Sequence, residues 1–123
     1  MSEERKRSAE FAKIAIEALE DKKAQDIKVI DISEVSVLAD YFIIANGTNL
    51  PQIQAMADGV EEALGKAGCP IRQQEGYNNA NWVLQDFGDV IIHIFDPENR
   101  LLYDLERIWK DGIPVVLEAE EEK

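Results

Sequence analysis

The chain has one cysteine and one histidine in 123 residues. With Cys69 alone, neither an internal disulfide nor a thiolate metal cluster can form, and with His93 alone no His₂ or His₃ metal centre can form. No apolar run approaches the roughly 20 residues needed to span a bilayer. Basic residues are scarce: 13 Lys and Arg stand against 25 Asp and Glu, a net charge of −12, with no dense basic stripe. Binding to free nucleic acid rests on cations that neutralise phosphates, so this surface opposes a polyanion. A basic protein surface is the better electrostatic match, and the acidic field would speed that encounter. The plain alternative is that the acidity only keeps the protein soluble. Three phosphate and metal signatures are also missing: the P-loop, G-x-G-x-x-G and a paired D-x-D. Asp86-Phe87-Gly88 copies a kinase tripeptide, but the chain is far too short for a kinase and has no H-R-D loop.

What is present fits a soluble globular protein. Hydrophobic residues make up 46% and charged residues 31%, an ordinary balance. The length suits one domain with a single modest core, read as residues 1–117 with an acidic tail from Glu118 to Lys123. The charged start, Met1 to Arg7, leads into an amphipathic segment and does not resemble a secretion signal, so a cytoplasmic location is expected. Without secretion, the glycosylation match at Asn46-Gly47-Thr48 is chance.

Hydrophobic spacing supplies the elements. Phe11, Ile14, Ala15, Ala18 and Leu19 form one stripe of a helix over about 4–21. Ile27 to Ile32 reads as a strand. Asp40 to Ala45 is a nearly continuous apolar run, as in a central strand covered on both faces. Ile53, Met56, Ala57, Val60 and Leu64 mark a second helix, opened by a capping box of Asn49 and Gln52, with Pro51 in its first turn. Gly65 and Gly68 end it. Cys69-Pro70-Ile71 suggests a short edge strand, and Gln73 to Asn81 a polar loop. Asp96-Pro97 starts a third helix, with Leu101, Leu102, Leu105, Ile108 and Trp109 as its buried stripe and Gly112 and Pro114 as its stop. The order α-β-β-α-(β)-β-β-α predicts an α/β, α+β-layered domain: a small mixed sheet flanked by helices.

The richest stretch is Trp82 to Phe95, two apolar strands joined at Phe87-Gly88-Asp89-Val90, where Gly88 can take the positive φ that such a turn needs. Trp82, Leu84 and Asp86 share one strand face, and Val83, Gln85 and Phe87 the other. His93 shares a face with Ile91 and Phe95 and reads as a hydrogen-bonded structural residue. Cys69, with no base nearby, reads as a small buried apolar residue. Tryptophan beside charge suits an interface anchor, although spacing alone fits core packing as well. Trp109 falls in the helical stripe and belongs to the core. Tyr103 lies off it, beside Asp104, with a hydroxyl available to solvent or a partner. The strand-end aspartates Asp31, Asp40, Asp86 and Asp89 could hold Mg²⁺. The alternative function is therefore a metal-dependent nucleotidyltransferase-like or phosphohydrolase enzyme, with Asn46-Gly47-Thr48 before a helix as its one anion site. An exposed edge of the apolar hairpin would also allow a homodimer.

Three motifs in order resemble the ribosomal silencing factor family, also called Iojap-like. They are Asp40-Tyr41-Phe42-Ile43-Ile44 with Asn46-Gly47-Thr48 and Gln52, the hairpin from Trp82 to Phe95, and Arg100-x-x-Tyr103-x-Leu105-Glu106-x-x-Trp109. Together they span about Asp31 to Trp109. Departures are few: Asn49 stands where serine is usual, Leu102 where an aromatic is common, and Gln85 where an aliphatic is common. The resemblance implies a nucleotidyltransferase-like topology without catalysis, and no cofactor or metal. It implies a translational repressor that binds protein fourteen of the large ribosomal subunit and sterically blocks joining of the small subunit when nutrients are scarce. Neither free nucleic acid nor a membrane is an expected partner. On that reading the contact residues are Trp82, Asp86, Asp89, Tyr103 and Glu106, with Asp40 either a further contact or a pin for its strand.

Overall fold

The computed structural model describes residues 3–34, 39–78, 82–96 and 113–115. Its elements are α1 (Glu3–Asp21), β1 (Gln25–Asp31), β2 (Tyr41–Asn46), α2 (Leu50–Lys66), β3 (Gln73–Glu75), β4 (Trp82–Asp86), β5 (Val90–Phe95) and β6 (Ile113–Val115). The strands form one mixed sheet in the order β3-β4-β5-β2-β1-β6. Only β2 and β5 pair in parallel, with Tyr41 opposite Val90 and Asn46 opposite Phe95. β1 with β2, β1 with β6, β3 with β4 and β4 with β5 are antiparallel. The expected α/β layer domain is thus observed. The third helix, Tyr103, Glu106, Trp109 and the acidic tail lie outside the described residues.

β2 sits at the middle of the sheet, and five of its six residues are buried, as its unbroken apolar run predicts. Alternation along the strands divides the interior in two. Val29, Tyr41, Ile43, Ala45, Val83, Val90, Ile92 and Ile94 face α1 and α2. Ile30, Ile32, Ala39, Ile44 and Phe95 form a second apolar cluster, with Phe42, Trp82 and Ile91 packed at its margin.

α1 covers the predicted span, but its buried stripe is rotated. Ser8, Phe11, Ala12, Ala15, Ile16 and Leu19 are buried, while Ile14 and Ala18 are only half-buried. Both stripes have helical spacing, because the apolar arc is wide; contact with the sheet and α2 chooses between them. α1 ends with Lys23 in the left-handed region, at φ 64°. Ala24 N–H then bonds Leu19 C=O, and Lys23 N–H bonds Glu20 C=O, the pair of bonds that closes a Schellman end.

α2 buries the five predicted residues, Ile53, Met56, Ala57, Val60 and Leu64. Truncating one of the larger ones would cost about 2–5 kcal/mol. Asn49 caps it, accepting from Gln52 N–H at 2.8 Å. The return half of the expected capping box is absent. Gln52 Oε1 accepts instead from Thr48 N–H and its hydroxyl, and Nε2 donates to Lys22 and Lys23 C=O. Gln52 therefore ties the start of α2 to the end of α1. Gly65 belongs to the last turn of α2, which ends at Lys66 with Ala67 as its C-cap; Gly68 follows with φ 91°, and Cys69 N–H bonds Leu64 C=O.

Two edge regions differ from expectation. The short strand is not at Cys69-Pro70-Ile71 but at Gln73–Glu75, inside the stretch read as loop. Its three exposed polar residues give no apolar alternation to detect. The stop at Gly112 and Pro114 contains β6, which holds Pro114 opposite Ile30 at the sheet edge, where a missing N–H is tolerated. Among the described residues, β3 pairs with Leu84–Asp86 of the β4–β5 hairpin and β2 pairs with the whole of β5.

Candidate functional site

The hairpin folds as its sequence predicts, and its two ends carry different chemistry. At the turn, Phe87 N–H bonds Val90 C=O at 3.0 Å. Gly88 takes φ 92° in this two-residue turn, the positive φ that its sequence position anticipates. A Cβ at Gly88 would stand 2.7 Å from the Arg72 guanidinium carbon. Asp86 is half-buried, and its Oδ1 accepts from Gly88 N–H at 2.7 Å. Asp89 is exposed, while its carbonyl accepts from Asp40 and Tyr41 N–H. Asp40 in turn accepts from the Ser8 hydroxyl at 2.7 Å, which pins α1 to the start of β2.

These bonds put Asp40, Asp86 and Asp89 at one end of the sheet. Trp82 lies at the other, four residues from Asp86 along β4, or about 13 Å at ~3.3 Å per residue. The structure thus places three aspartates at one end of the sheet, each carboxylate turned to its own partner or to solvent, and holds the tryptophan at the other end. Burial alternates along β4 as expected: Trp82, Leu84 and Asp86 are half-buried, and Val83 and Gln85 are buried. Gln85 Nε2 donates to Ala57 C=O at 2.9 Å and to Gln74 Oε1 at 2.8 Å. A polar residue thus fills an otherwise apolar face by bonding α2 and β3.

Around Trp82 the sheet assembles four rings. Its indole stacks on Phe95 with centroids 5.3 Å apart, and its Nε1–H donates to His93 Nδ1 at 3.0 Å. His93 meets Phe42 edge-on at 4.8 Å. The imidazole is buried, and burial pushes its pKa down to about 4. It is therefore neutral at pH 7. Since the indole can only donate, Nδ1 bears the lone pair and the proton sits on Nε2. Nε2 is buried, without a hydrogen-bond partner among the described residues. The structural role expected of His93 is observed. Phe42 and Phe95 were not singled out in the sequence as site residues. Phe95 shares the strand alternation of His93, but Phe42 joins through the β2–β5 register, which no local pattern reveals.

The strand-end aspartates do not converge. Asp31 Oδ1 accepts from Ser33 N–H and hydroxyl, Asp40 is held by Ser8, and Asp86 by its own turn. Among the described residues, no group of three His, Cys, Asp or Glu is placed to hold a metal ion. The N–H groups at the start of α2 that would meet an anion include Thr48 and Gln52, both bonded to side-chain oxygens. Cys69 is buried, with its Sγ 3.5 Å from Phe87 C=O. Burial, then the Asp89 carboxylate, raise its pKa against the opposing pull of Arg72, so the thiol stays protonated and packs as an apolar group. Among the described residues, no helix is long and apolar enough to cross a membrane.

The hairpin geometry, the strand order and the ring cluster all lie within a sequence that has known relatives. Residues 5–123 match the family described as "Ribosomal silencing factor during starvation". The chain belongs to the ribosomal silencing factor family. It is 38% identical over 110 residues to the ribosomal silencing factor RsfS of Halalkalibacterium halodurans, covering 89% of this chain and 94% of that one. It is 40% identical over 100 residues to RsfS of Bacillus subtilis, covering 81% and 85%. A crystal structure of a Chromobacterium violaceum protein superposes with a TM-score of 0.80 at 40% identity, covering 86% of this chain and 88% of that one. Membership bears out the resemblance carried by the three motifs and supports a role in ribosome silencing and translation regulation.

Proposed function

We propose that this protein is a cytoplasmic translational repressor that binds the large ribosomal subunit through its protein fourteen and blocks joining of the small subunit. The observation that carries this reading is the family match over residues 5–123. The net charge of −12 supports it. An acidic body is repelled by ribosomal RNA and attracted to a basic ribosomal protein, which confines productive encounters to that patch. Trp82 is the anchor, and the carboxylates Asp86, Asp89 and Glu106 pair with cations of the partner. Tyr103 supplies a further contact, and Asp40 lies beside Asp89 at the same end of the sheet. Occupancy alone does the work: the bound domain is an obstacle, and no substrate is turned over. The anchor is half-buried already, with one face on Phe95, so little ordering remains to oppose binding.

Co-sedimentation with purified large subunits tests this. Wild type should travel with the subunit and reduce its joining to the small subunit. Trp82→Ala should weaken binding about 30-fold, equivalent to ~2 kcal/mol. Asp89→Lys, at an exposed side chain whose structural bond is made by its carbonyl, should weaken it by a smaller factor without loss of thermal stability. A wild-type protein that never sediments with large subunits would end the proposal.

A further inference from the structure

The ring cluster points to a second residue that matters for the interface without touching the partner. We propose that His93 is a positioning residue for Trp82, holding its indole N–H inward so that the anchor meets its partner as a purely apolar wedge. This rests on the partner-binding reading above. Trp82 has one polar atom, Nε1, and its hydrogen donates to His93 Nδ1 at 3.0 Å. The acceptor sits on a ring that cannot move freely. His93 is 3% exposed and lies edge-on to Phe42. Phe95, stacked on the indole at 5.3 Å, is wholly buried. Trp82 stands opposite Phe95 and reaches diagonally to His93 in the β4–β5 register, a reach ordinary for a large aromatic. With its N–H engaged by His93, the rest of the Trp82 side chain is hydrocarbon.

The consequence concerns the partner's chemistry. A tryptophan anchor usually brings an indole donor that its pocket must accept. Here the donor is already satisfied, so the fitting pocket is apolar, such as one walled by aliphatic side chains and by the methylene stems of Lys or Arg. Removing the His93 acceptor would release the indole N–H. Trp82 would then either turn away from its bound orientation or enter that pocket with an unpaired donor, and both lower affinity.

The test combines binding with a signal from the indole itself. In wild type, the Trp82 Nε1–H proton, assigned by its loss in Trp82→Phe, should be protected from solvent exchange in free protein. His93→Leu should abolish that protection and weaken large-subunit binding at least tenfold. His93→Phe keeps a ring against Phe42 but no acceptor, and serves the same purpose if the leucine variant does not fold. His93→Asn returns an acceptor at the δ position and should recover binding to within about threefold of wild type. In a Trp82→Phe background, His93→Phe should change affinity less than twofold, because His93 acts only through the indole. An unprotected indole proton in wild type overturns the proposal. So do unchanged binding by a folded His93→Phe, and losses that multiply in the double variant. If wild type fails to bind large subunits, the functional reading falls. If wild type binds and His93→Phe binds equally, only the role of His93 falls.

Discussion

At the turn of the β4–β5 hairpin, the polar groups serve the fold. The Asp86 carboxylate closes onto Gly88 N–H, and the Asp89 carbonyl takes the N–H groups of Asp40 and Tyr41. At the open end, the indole of Trp82 bonds His93, and its half-buried ring stacks on Phe95. The same hairpin thus fastens the sheet at one end and holds a half-buried tryptophan against Phe95 and His93 at the other. The lesson is that a carboxylate next to a turn is first a turn residue. Any role for Asp86 in partner binding has to share its oxygens with that bond, whereas Asp89 leaves its whole carboxylate available.

Both ends contain a glycine with positive φ, and the comparison is sharpest there. Gly76 has φ 78°, and a Cβ on it would overlap the carbonyl oxygen of Trp82. That obstacle is backbone and cannot yield. Gly76→Ala should therefore lower stability by about 3 kcal/mol or more and displace the anchor as well. At Gly88 the obstacle is the mobile guanidinium of Arg72, so Gly88→Ala should cost mainly the unfavourable φ, about 1–2 kcal/mol. Urea denaturation of both variants measures the pair. Equal losses would mean that the two ends are equally constrained.

Acid provides the next largest effect, and it acts at the open end. The His93 pKa is about 4 in the folded protein against an ordinary 6.5. Between those values the unfolded chain binds a proton that the folded one does not. Stability is therefore full above pH 7 and falls as the pH drops, by about 2 kcal/mol at pH 5. His93→Asn should unfold with much less dependence on pH between 7 and 5. A variant with the wild-type slope would place the titrating group elsewhere.

The smallest effect separates charge from shape at the turn. Asp86→Ala removes the acceptor for Gly88 N–H and should cost about 1 kcal/mol. Asp86→Asn keeps the acceptor and should stay within ~0.5 kcal/mol of wild type in stability. If Asp86→Asn nevertheless weakens large-subunit binding, the carboxylate charge faces the partner. If it does not, Asp86 serves the turn alone.

Much of this was legible in the chain. The apolar run of β2, the alternation and Gly88 turn of the hairpin, the Asn49 cap and the five buried residues of α2 follow from spacing and local hydrogen bonding, which act over a few residues. So did the family, because its motifs are local strings. The carboxylates that suggested a metal site also came from the sequence, but their partners did not. Ser8 lies 32 residues from Asp40, and no spacing rule connects them.

The sequence by itself determined which residues are apolar, where strands and helices begin to form, and that the surface is acidic. It left two equivalent stripes on α1, hid a polar edge strand at Gln73–Glu75, and marked Pro114 only as a helix stop. Only the tertiary structure decided these, because each depends on what a remote segment presents. It also decided the site, by setting the strand register that brings Phe42, Trp82, His93 and Phe95 into one cluster. Periodicity tells a residue which side of its strand it lies on. Which neighbour it meets there is fixed by pairing between strands far apart in the chain, and that pairing sets the Trp82 indole N–H against His93.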